Sequence, residues 1–426
     1  MRKNRWMILI VSVMINLCIG FAYAWSVFQK PLMETFGWSA AQASLVFTIN
    51  LAVLPIAMIV AGRLVKKIGV RGVVMTGGVL FGTGIFLSGM IQSIGALYFT
   101  YGLVAGSGIG LIYSCTVSNT VKWFPDKKGL ITGLAVAGFG FGALIWIKLT
   151  SGFVFGPVDL TPGWNGLYGA GWTVSKVFML YGVLFAALVG LGSIVMVNPP
   201  DGWKPAGWQP PTGKAAGSSG EKTFTVKEMV RTRQYWSLFL TFMVGATAGL
   251  MVIGVIGLFG KDALTTRGGF DAANATIITG TAMGLFYALM NGLGRIIWGS
   301  LSDKLGRKNS IVLMCLLQGV MMIAFYFIGS LEWGLYLGAA IIGFNFGGNF
   351  ALFPAATADF FGNKSVGTNY PWVFMAYGVG GIVGPILGGA MGDARAWMWA
   401  FIPAGIACFI AAAIAMMLKP PKHVEA

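Results

Sequence analysis

One arginine lies inside a long apolar stretch of the chain. Residues 274–308 read NATIITGTAMGLFYALMNGLGRIIWGSLSDKLGRK, and Arg295 is the charged residue within the apolar part of this run. A charge inside a membrane is costly, and it is retained where it faces a cavity and meets an opposite charge. Asn291 and Tyr287 lie one and two helical turns before Arg295, on the same helix face. The pattern predicts a helix that lines a polar cavity, with Arg295 binding an anion.

The alternative is that Arg295 extends along the helix to the nearer membrane interface, as long basic side chains do. The next acidic residue on this stretch is Asp303, eight residues further on. That separation is about 12 Å at a rise of about 1.5 Å per residue, which is longer than an arginine side chain comfortably spans.

The composition places this helix in a membrane. Of the 426 residues, 56% are hydrophobic and only 10% are charged, whereas soluble domains carry about 25% charged residues. Apolar stretches of about 20 residues, each long enough to cross a bilayer, recur along the chain. The sequence therefore predicts an all-α membrane protein with twelve transmembrane helices in two pseudo-symmetric six-helix bundles. The predicted spans are 6–29, 40–61, 73–93, 97–121, 129–150, 175–197, 235–259, 275–299, 309–329, 334–359, 368–391 and 396–418.

A polar segment rich in Pro and Gly divides these spans six and six. It predicts an N-terminal bundle (1–198), a flexible cytoplasmic linker (199–233), a C-terminal bundle (234–418) and a cytoplasmic tail (419–426). With the N-terminus inside, most Lys and Arg residues fall in cytoplasmic loops, so both termini are predicted to be cytoplasmic. The basic and apolar start of the chain resembles a signal peptide, but we expect it to be retained as the first span.

Several functional classes find no support in the sequence. The net charge of +16 follows the topology of the loops, so we expect a contribution from anionic lipid but no nucleic-acid partner. The four cysteines are far apart, without metal-ligand spacing, and are predicted to be packed thiols. The 13 acidic residues lie in loops or at helix ends, and the single histidine is His423 in the tail. We therefore predict no metal, no cofactor and no enzymatic activity.

The loop after the second span and the loop after the eighth span are similar to each other. They read GRLVKKIGVR from Gly62 to Arg71 and GSLSDKLGRK from Gly299 onward, with Asp303 and Arg307 in the second copy. The second copy resembles the loop motif of the major facilitator superfamily, G-x-x-x-D-[RK]-x-G-R-[RK], at every defined position. This resemblance implies a conformational latch at these residues. The first copy has Lys66 where the motif has Asp, so we expect it to latch differently.

Other segments resemble the oxalate:formate antiporter family, which is close to the monocarboxylate transporters. They are KWFPDKKGLITGLAVAGFGFGALI (122–145), EMVRTRQYW (228–236), ALFPAATADFFG (351–362) and NYPWVFMAY (369–377).

The resemblance implies that Arg295 matches a substrate-binding arginine, and that Tyr377 stands where that family has a second cation, a lysine. One buried charge suits one countercharge, so this departure favours a monocarboxylate, with Tyr377 as a neutral hydrogen-bond donor. In eukaryotic monocarboxylate transporters an Asp precedes the arginine by four residues. Asn291 takes that position here and cannot titrate.

The same resemblance implies which other residues line the cavity. Tyr23, Tyr113, Phe139, Phe346 and Phe350 match aromatic positions of the oxalate transporters, and several are Phe where that family has Tyr or Trp. A less polar site suits a substrate with a methyl or alkyl end. Asn345 and Asn349 lie one turn apart and are predicted to face the same cavity. The alternative for each aromatic residue is ordinary helix packing.

These patterns together predict a secondary active transporter of small monocarboxylates such as lactate, pyruvate or acetate. We expect alternating access, with either proton symport or anion exchange, in the inner or plasma membrane. The family resemblance implies a monomer. An oxalate:formate-type carboxylate antiporter is the main alternative, and a broad-specificity efflux carrier is a more remote one.

Overall fold

The computed structural model describes residues 4–151, 154–155, 158–159, 166–200, 203–205 and 223–421. The α-helices of the first half are α1 (Arg5–Ile19), α2 (Trp25–Phe36), α3 (Ala40–Ser88), α4 (Ile94–Leu97), α5 (Gly106–Trp123), α6 (Lys128–Ser151), α7 (Gly166–Gly169) and α8 (Val174–Ser193). Those of the second half are α9 (Val226–Val230), α10 (Arg233–Thr266), α11 (Ala272–Thr281), α12 (Ala288–Leu305), α13 (Arg307–Ile328), α14 (Glu332–Phe361), α15 (Val366–Asp393) and α16 (Trp397–Met416).

Tighter or wider turns connect some of these helices. A 3₁₀ turn, Gly20–Ala24, joins α1 to α2, and a second one, Asn363–Ser365, precedes α15. π-helical turns at Tyr98–Ala105 and Ala282–Tyr287 lead into α5 and α12. Two short strands, β1 (Val154–Phe155) and β2 (Val158–Asp159), pair in a region where the sequence predicts only a loop.

The predicted transmembrane architecture is confirmed. Within the described residues, eleven helical segments are long and apolar enough to cross a membrane. The longest of them, Gln42–Ser88, contains a break at Gly69, whose φ of +72° is a left-handed conformation that glycine adopts readily. Because this segment comprises two spans joined at Gly69, the total is the predicted twelve.

The structure adds two details to the predicted spans. The first span, predicted over 6–29, contains the 3₁₀ turn, where Gly20 packs so closely on Phe139 and Gly142 that a Cβ atom would overlap their backbone. The loop predicted after the second span is helical on both sides of Gly69. Here a single glycine changes the direction of the chain, so no longer loop is required.

The described chain divides into two compact units. The first contains Met1–Trp123, Ala135–Val154 and Asp159–Trp203, and the second contains Phe124–Leu134, Phe155–Val158 and Lys204–Ala426. In the first unit α3 packs along α5 and α8. Its core includes Phe21, whose ring centroid lies 5.2 Å from those of Phe28 and Phe185.

In the second unit α10 packs on α15, α12 on α14, and α13 on α16. Residues 201–202 and 206–222 of the predicted linker lie outside the described residues, and its flexibility stays a prediction; its C-terminal end makes defined hydrogen bonds. The Phe224 N–H donates to the Phe361 carbonyl, and Asn369 Nδ2 donates to the Phe224 carbonyl. The Thr225 and Glu228 side chains then cap α9 reciprocally, so local hydrogen bonding ends the linker before Arg233.

Candidate functional site

The helix that carries Arg295 is built in three parts. It begins at Asp271, whose carboxylate accepts hydrogen bonds from the Ala273 and Asn274 N–H groups at 3.0 Å each. The hydrogen bond from Asn274 lowers the pKa of Asp271, since it favours the charged form. The π-helical turn Ala282–Tyr287 then joins α11 to α12. Such turns occur frequently at functional sites, because they change which residues of a helix share a face.

Glycines bring the α14 backbone against the same face of α12. A Cβ atom on Gly343 would lie 2.5 Å from the Tyr287 carbonyl oxygen, and one on Gly347 would overlap the Asn291 carbonyl. Gly294 of α12 is equally close to the Phe344 carbonyl. Small residues at such positions allow helix backbones to approach closely in membranes. The side chains that follow on α14 therefore lie next to Arg295.

Arg295 is fully buried at 0% exposure. Its Nε donates to Asn291 Oδ1 at 3.2 Å, and its guanidinium carbon lies 4.3 Å from the centroid of the Phe350 ring. The first contact follows the predicted spacing of one turn. The second is a cation–π contact, which is favourable for a guanidinium over an aromatic face. This geometry does not match the alternative of an arginine that extends to the membrane interface.

Other aromatic rings pack against Phe350. The rings of Phe346 and Tyr377 lie 5.2 Å and 5.4 Å from Phe350, and Phe374 lies 4.9 Å from Tyr377. All four are buried. The structure thus brings Asn291, Arg295, Phe346, Phe350 and Tyr377 into one continuous set of contacts within the second unit.

Tyr287 and the two asparagines of α14 have other partners. The Tyr287 hydroxyl donates to the Gly249 carbonyl of α10 at 3.1 Å. Asn349 Nδ2 donates to the Asn345 and Phe346 carbonyls of its own helix, at 3.3 and 3.1 Å. Asn345 Oδ1 accepts from Trp298 Nε1 at 3.2 Å. Sequence spacing correctly places Asn345 and Asn349 one turn apart on one helix. The hydrogen bonds direct the Asn349 amide toward the backbone of its own helix and the Asn345 amide toward Trp298.

The three predicted site residues of the first unit form their own aromatic cluster. The Phe139 ring lies 4.9 Å from that of Tyr23 and 5.6 Å from that of Tyr113. Phe139 and Tyr113 are buried, and Tyr23 is half-buried. α6 supplies Phe139, α5 supplies Tyr113, and the 3₁₀ turn supplies Tyr23.

The predicted latch residues of the second motif copy belong to a charge network. Asp303 accepts from the N–H groups of Gly129 and Leu130, both at 2.9 Å, in the first turn of α6. A carboxylate is stabilised there by the N-terminal partial charge of the helix. Gly299 fits against Gly129, with no space for a Cβ atom. The motif therefore caps the first turn of α6, which belongs to the second unit.

Two residues that the sequence did not single out, Lys128 and Asp359, complete this network. Arg307 pairs with Asp303 at 2.8 Å and, through Nε, with Asp359 at 2.7 Å. Lys128 Nζ also pairs with Asp359 at 2.7 Å. The signal in the sequence was an acidic residue at the end of an apolar span, matched by a basic residue in the DKKG segment.

The first motif copy is different in structure as well as in sequence. Gly62 is buried, whereas Lys66 and Arg71 are exposed. The role of these residues as a latch stays a prediction.

Comparison with known proteins identifies the family. The model of the Major Facilitator Superfamily matches residues 7–370 and 269–426. This chain belongs to the Major Facilitator Superfamily. It is therefore a transporter that is integral to the membrane, and not an enzyme.

Relatives and a solved structure agree with this assignment. The oxalate:formate antiporter of Oxalobacter formigenes is 30% identical over 98% of this chain and 92% of its own length. Apicoplast pyruvate carrier 1 of Toxoplasma gondii is 27% identical over 77% of this chain and 66% of its own length. Monocarboxylate transporters are also among the relatives. The resemblance to these families that the motifs predicted is confirmed.

The fold is that of a superfamily member of known structure. The fucose:proton symporter of E. coli superposes with a TM-score of 0.64 over 96% of this chain and 99% of its own, at 16% sequence identity. The predicted major facilitator fold is confirmed.

Proposed function

We propose that this transporter carries small monocarboxylates and that Arg295 binds the carboxylate group. The observation that carries the proposal is the environment of the buried guanidinium: an amide from Asn291 and the face of Phe350. Both of these contacts are with neutral groups, and they orient the guanidinium. A planar guanidinium held in this way is suited to bidentate binding of a carboxylate.

The composition of the surrounding cluster favours a substrate with one charge and an apolar end. Phe346, Phe350, Phe374 and Tyr377 contribute three rings without a polar group and one hydroxyl. Lactate, pyruvate and acetate each combine one carboxylate with a methyl group. Relatives of this chain include a protein named as a pyruvate carrier and proteins named as monocarboxylate transporters.

The positive charge of Arg295 also favours some transport cycles over others. A bound carboxylate neutralises Arg295, which lowers the cost of moving the loaded site through the membrane interior. Return of the carrier without an anion leaves the guanidinium charge uncompensated by substrate. This argument favours exchange of one anion for another, or symport in which a proton assists the return. The family resemblance ranks proton symport slightly ahead.

The decisive experiment is uptake of labelled L-lactate into proteoliposomes. Vesicles that are empty, lactate-loaded or oxalate-loaded are compared with and without an inward proton gradient. We expect Arg295→Ala to reduce uptake to the level of protein-free vesicles. Arg267→Ala is a matched control, since Arg267 is exposed and also contacts an aromatic ring, that of Tyr326 at 4.9 Å.

Each result has a defined meaning. Gradient-driven uptake into empty vesicles supports symport, and uptake only into loaded vesicles supports exchange. Full activity of Arg295→Ala would overturn the assignment of the carboxylate to Arg295.

A second candidate, an oxalate:formate-type antiporter, is favoured by the 30% identity to that antiporter over 98% of the chain. The two candidates differ in the number of charges that the site should accommodate. Tyr377→Lys adds a second cation beside the Phe350 ring, and we expect it to shift the preference from lactate toward oxalate. Tyr377→Phe, which adds no charge, serves as control. If the wild type already prefers oxalate over lactate, the monocarboxylate proposal fails.

A further inference from the structure

The two similar loops turn at equivalent glycines. Gly69 has φ +72° and ψ 171°, and Gly306 has φ +84° and ψ 155°. Both glycines have a positive φ, which a residue without a side chain adopts readily. Each separates one transmembrane helix from the next. The turn therefore has the same backbone shape in both copies, and the copies differ in the side chains that surround it.

These side chains give the two turns different electrostatics. In the second copy, Asp303 accepts hydrogen bonds from the first turn of α6 and pairs with Arg307. The first copy has Lys66 at the position that corresponds to Asp303, and no acidic residue occurs between Glu34 and Asp126. The first turn thus contains four cations and no carboxylate; the cations are Arg63, Lys66, Lys67 and Arg71.

The four cations of the first turn are exposed. Their side chains form no ion pair or hydrogen bond with any residue that the structure describes. Arg63, Lys66 and Lys67 are spaced three and four residues apart on one helix face, where like charges repel each other. A Cβ atom built on Gly69 would have no neighbour within 4 Å, so the turn is accessible. An anion bound from outside would relieve this repulsion.

An exposed aliphatic face leads into the turn on each side. Before the turn, Ile56 and Val60 are 54% and 44% exposed, and the same face continues at spacings of three and four to Arg63 and Lys67. After it, Arg71, Met75 and Val79 are exposed and lie four residues apart. Exposed aliphatic side chains of a spanning helix contact lipid chains. The cations at the ends of these faces therefore lie at the level of the lipid headgroups.

We propose that the first turn, residues 63–71, is a binding site for an anionic phospholipid. Its phosphate accepts hydrogen bonds from the guanidinium groups of Arg63 and Arg71, with Lys66 and Lys67 as further cations, and its acyl chains lie along the aliphatic faces. Residues 206–222 of the linker contain two lysines and one glutamate, so this segment has no excess of acid to neutralise the turn. The proposal does not depend on the transported substrate.

Photocrosslinking of lipid to the full chain tests this assignment. The protein is reconstituted in phosphatidylcholine vesicles with a trace of a probe that carries a photoactivatable group in its acyl chain. The probe is either phosphatidylglycerol, which is anionic, or phosphatidylcholine, which has no net charge. Mass spectrometry then measures the labelling of residues 56–79. We expect the phosphatidylglycerol probe to label this segment several-fold more than the phosphatidylcholine probe.

Two variants that remove the same charge from equivalent positions provide the comparison. Lys67→Gln with Arg71→Gln should reduce labelling by phosphatidylglycerol to the phosphatidylcholine level. The matched control is Lys304→Gln with Lys308→Gln in the second copy, which should leave labelling of residues 56–79 unchanged. Lys66→Asp, which gives the first copy the acid of the second, should also reduce it.

Three results would overturn the proposal. Equal labelling by the two probes in the wild type would show that the turn does not select an anionic lipid, even if the variants do not fold. Labelling that persists in Lys67→Gln with Arg71→Gln would show that these cations do not hold the headgroup. Loss of the phosphatidylglycerol labelling on addition of inorganic phosphate at constant ionic strength would indicate a site for a soluble anion instead.

Discussion

The guanidinium of Arg295 lies 4.3 Å above the ring of Phe350, on the helix that packs against its own. Phe350 therefore contacts the cation directly, in addition to packing against other aromatic rings. It holds the plane of the guanidinium on one side, while Asn291 holds Nε along the helix. The Phe350 ring therefore covers one side of the guanidinium, and we expect a carboxylate to approach Arg295 from another direction.

Loss of the Phe350 ring should weaken carboxylate binding. A cation–π contact contributes about 0.5–2 kcal/mol, so we expect Phe350→Leu to raise the KM for the carboxylate by a factor of about 2 to 30. Phe350→Tyr retains the ring and should stay close to the wild type. Initial uptake rates over a range of substrate concentrations provide the test. An unchanged KM in Phe350→Leu would show that the ring does not position Arg295.

A carboxylate in place of Asn291 should create a pH-dependent carrier. Asn291→Asp places an anion within hydrogen-bonding distance of Arg295 Nε, where it competes with the substrate for the same cation. Protonation of this Asp removes the competition. Uptake should therefore be weak at neutral pH and increase as the pH falls through the pKa of the new group.

The control for this pH dependence is Asn291→Gln, which adds no titratable group and should give the wild-type pH profile in uptake assays. If Asn291→Asp transports equally well at neutral and acidic pH, residue 291 and the substrate do not share Arg295.

The contact of α14 with α12 leaves no space for a methyl group at Gly347. A Cβ atom there would overlap the Asn291 carbonyl, so Gly347→Ala must separate the two helices or displace Asn291. Overpacking of this kind typically costs about 1–3 kcal/mol. We expect a lower melting temperature in detergent and a strong loss of uptake.

Gly280→Ala is the matched control for this substitution. A Cβ atom at Gly280 of α11 has no neighbour within 4 Å, and alanine is the better helix former. This variant should melt at or slightly above the wild-type temperature. Equal melting temperatures for Gly347→Ala and Gly280→Ala would contradict the close packing described here.

The carboxylate of Asp359 compensates two cations, so its removal should destabilise the second unit. Asp359→Asn keeps the shape, but it removes the carboxylate that pairs with Lys128 and one of the two that pair with Arg307. Removal of one partner from a buried ion pair costs about 3–5 kcal/mol. Because the Asp359 side chain is 25% exposed, we expect a smaller cost and a melting temperature lower by several degrees.

Asp271→Asn is a suitable comparison, since Asn caps a helix about as well as Asp and Asp271 lies outside the network. Its melting temperature should match that of the wild type. A stable Asp359→Asn variant would indicate that solvent compensates Lys128 and Arg307 adequately.

The sequence predicted the helix and spacing of the site more successfully than its side-chain directions. Helical periodicity is sufficient to place Asn291 one turn from Arg295, and the hydrogen bond between them agrees with it. The same periodicity does not reveal that Asn349 bonds to its own helix. That outcome depends on the distance between α14 and its neighbours, which is set by glycines distributed over several helices.

The sequence patterns also did not predict ion pairs between residues that are far apart in the chain. Lys128 and Asp359 are far apart in the chain, and no pattern of charge in the sequence connects the two segments that contain them. The 3₁₀ turn at Gly20–Ala24 was not predicted either. In a uniformly apolar span, hydropathy determines the length of a helix but contains little information about where it bends.

The interlocked backbones of α12 and α14 have a mechanical consequence. Gly294 meets the Phe344 carbonyl, while Gly343 and Gly347 meet the carbonyls of Tyr287 and Asn291. Contacts of this kind resist both sliding and rotation, so we expect the two helices to move as one rigid unit. Arg295 and Phe350 should then move together during a transport cycle. The chemical preference of the site should be the same at loading and at release, and only its access to either compartment should change.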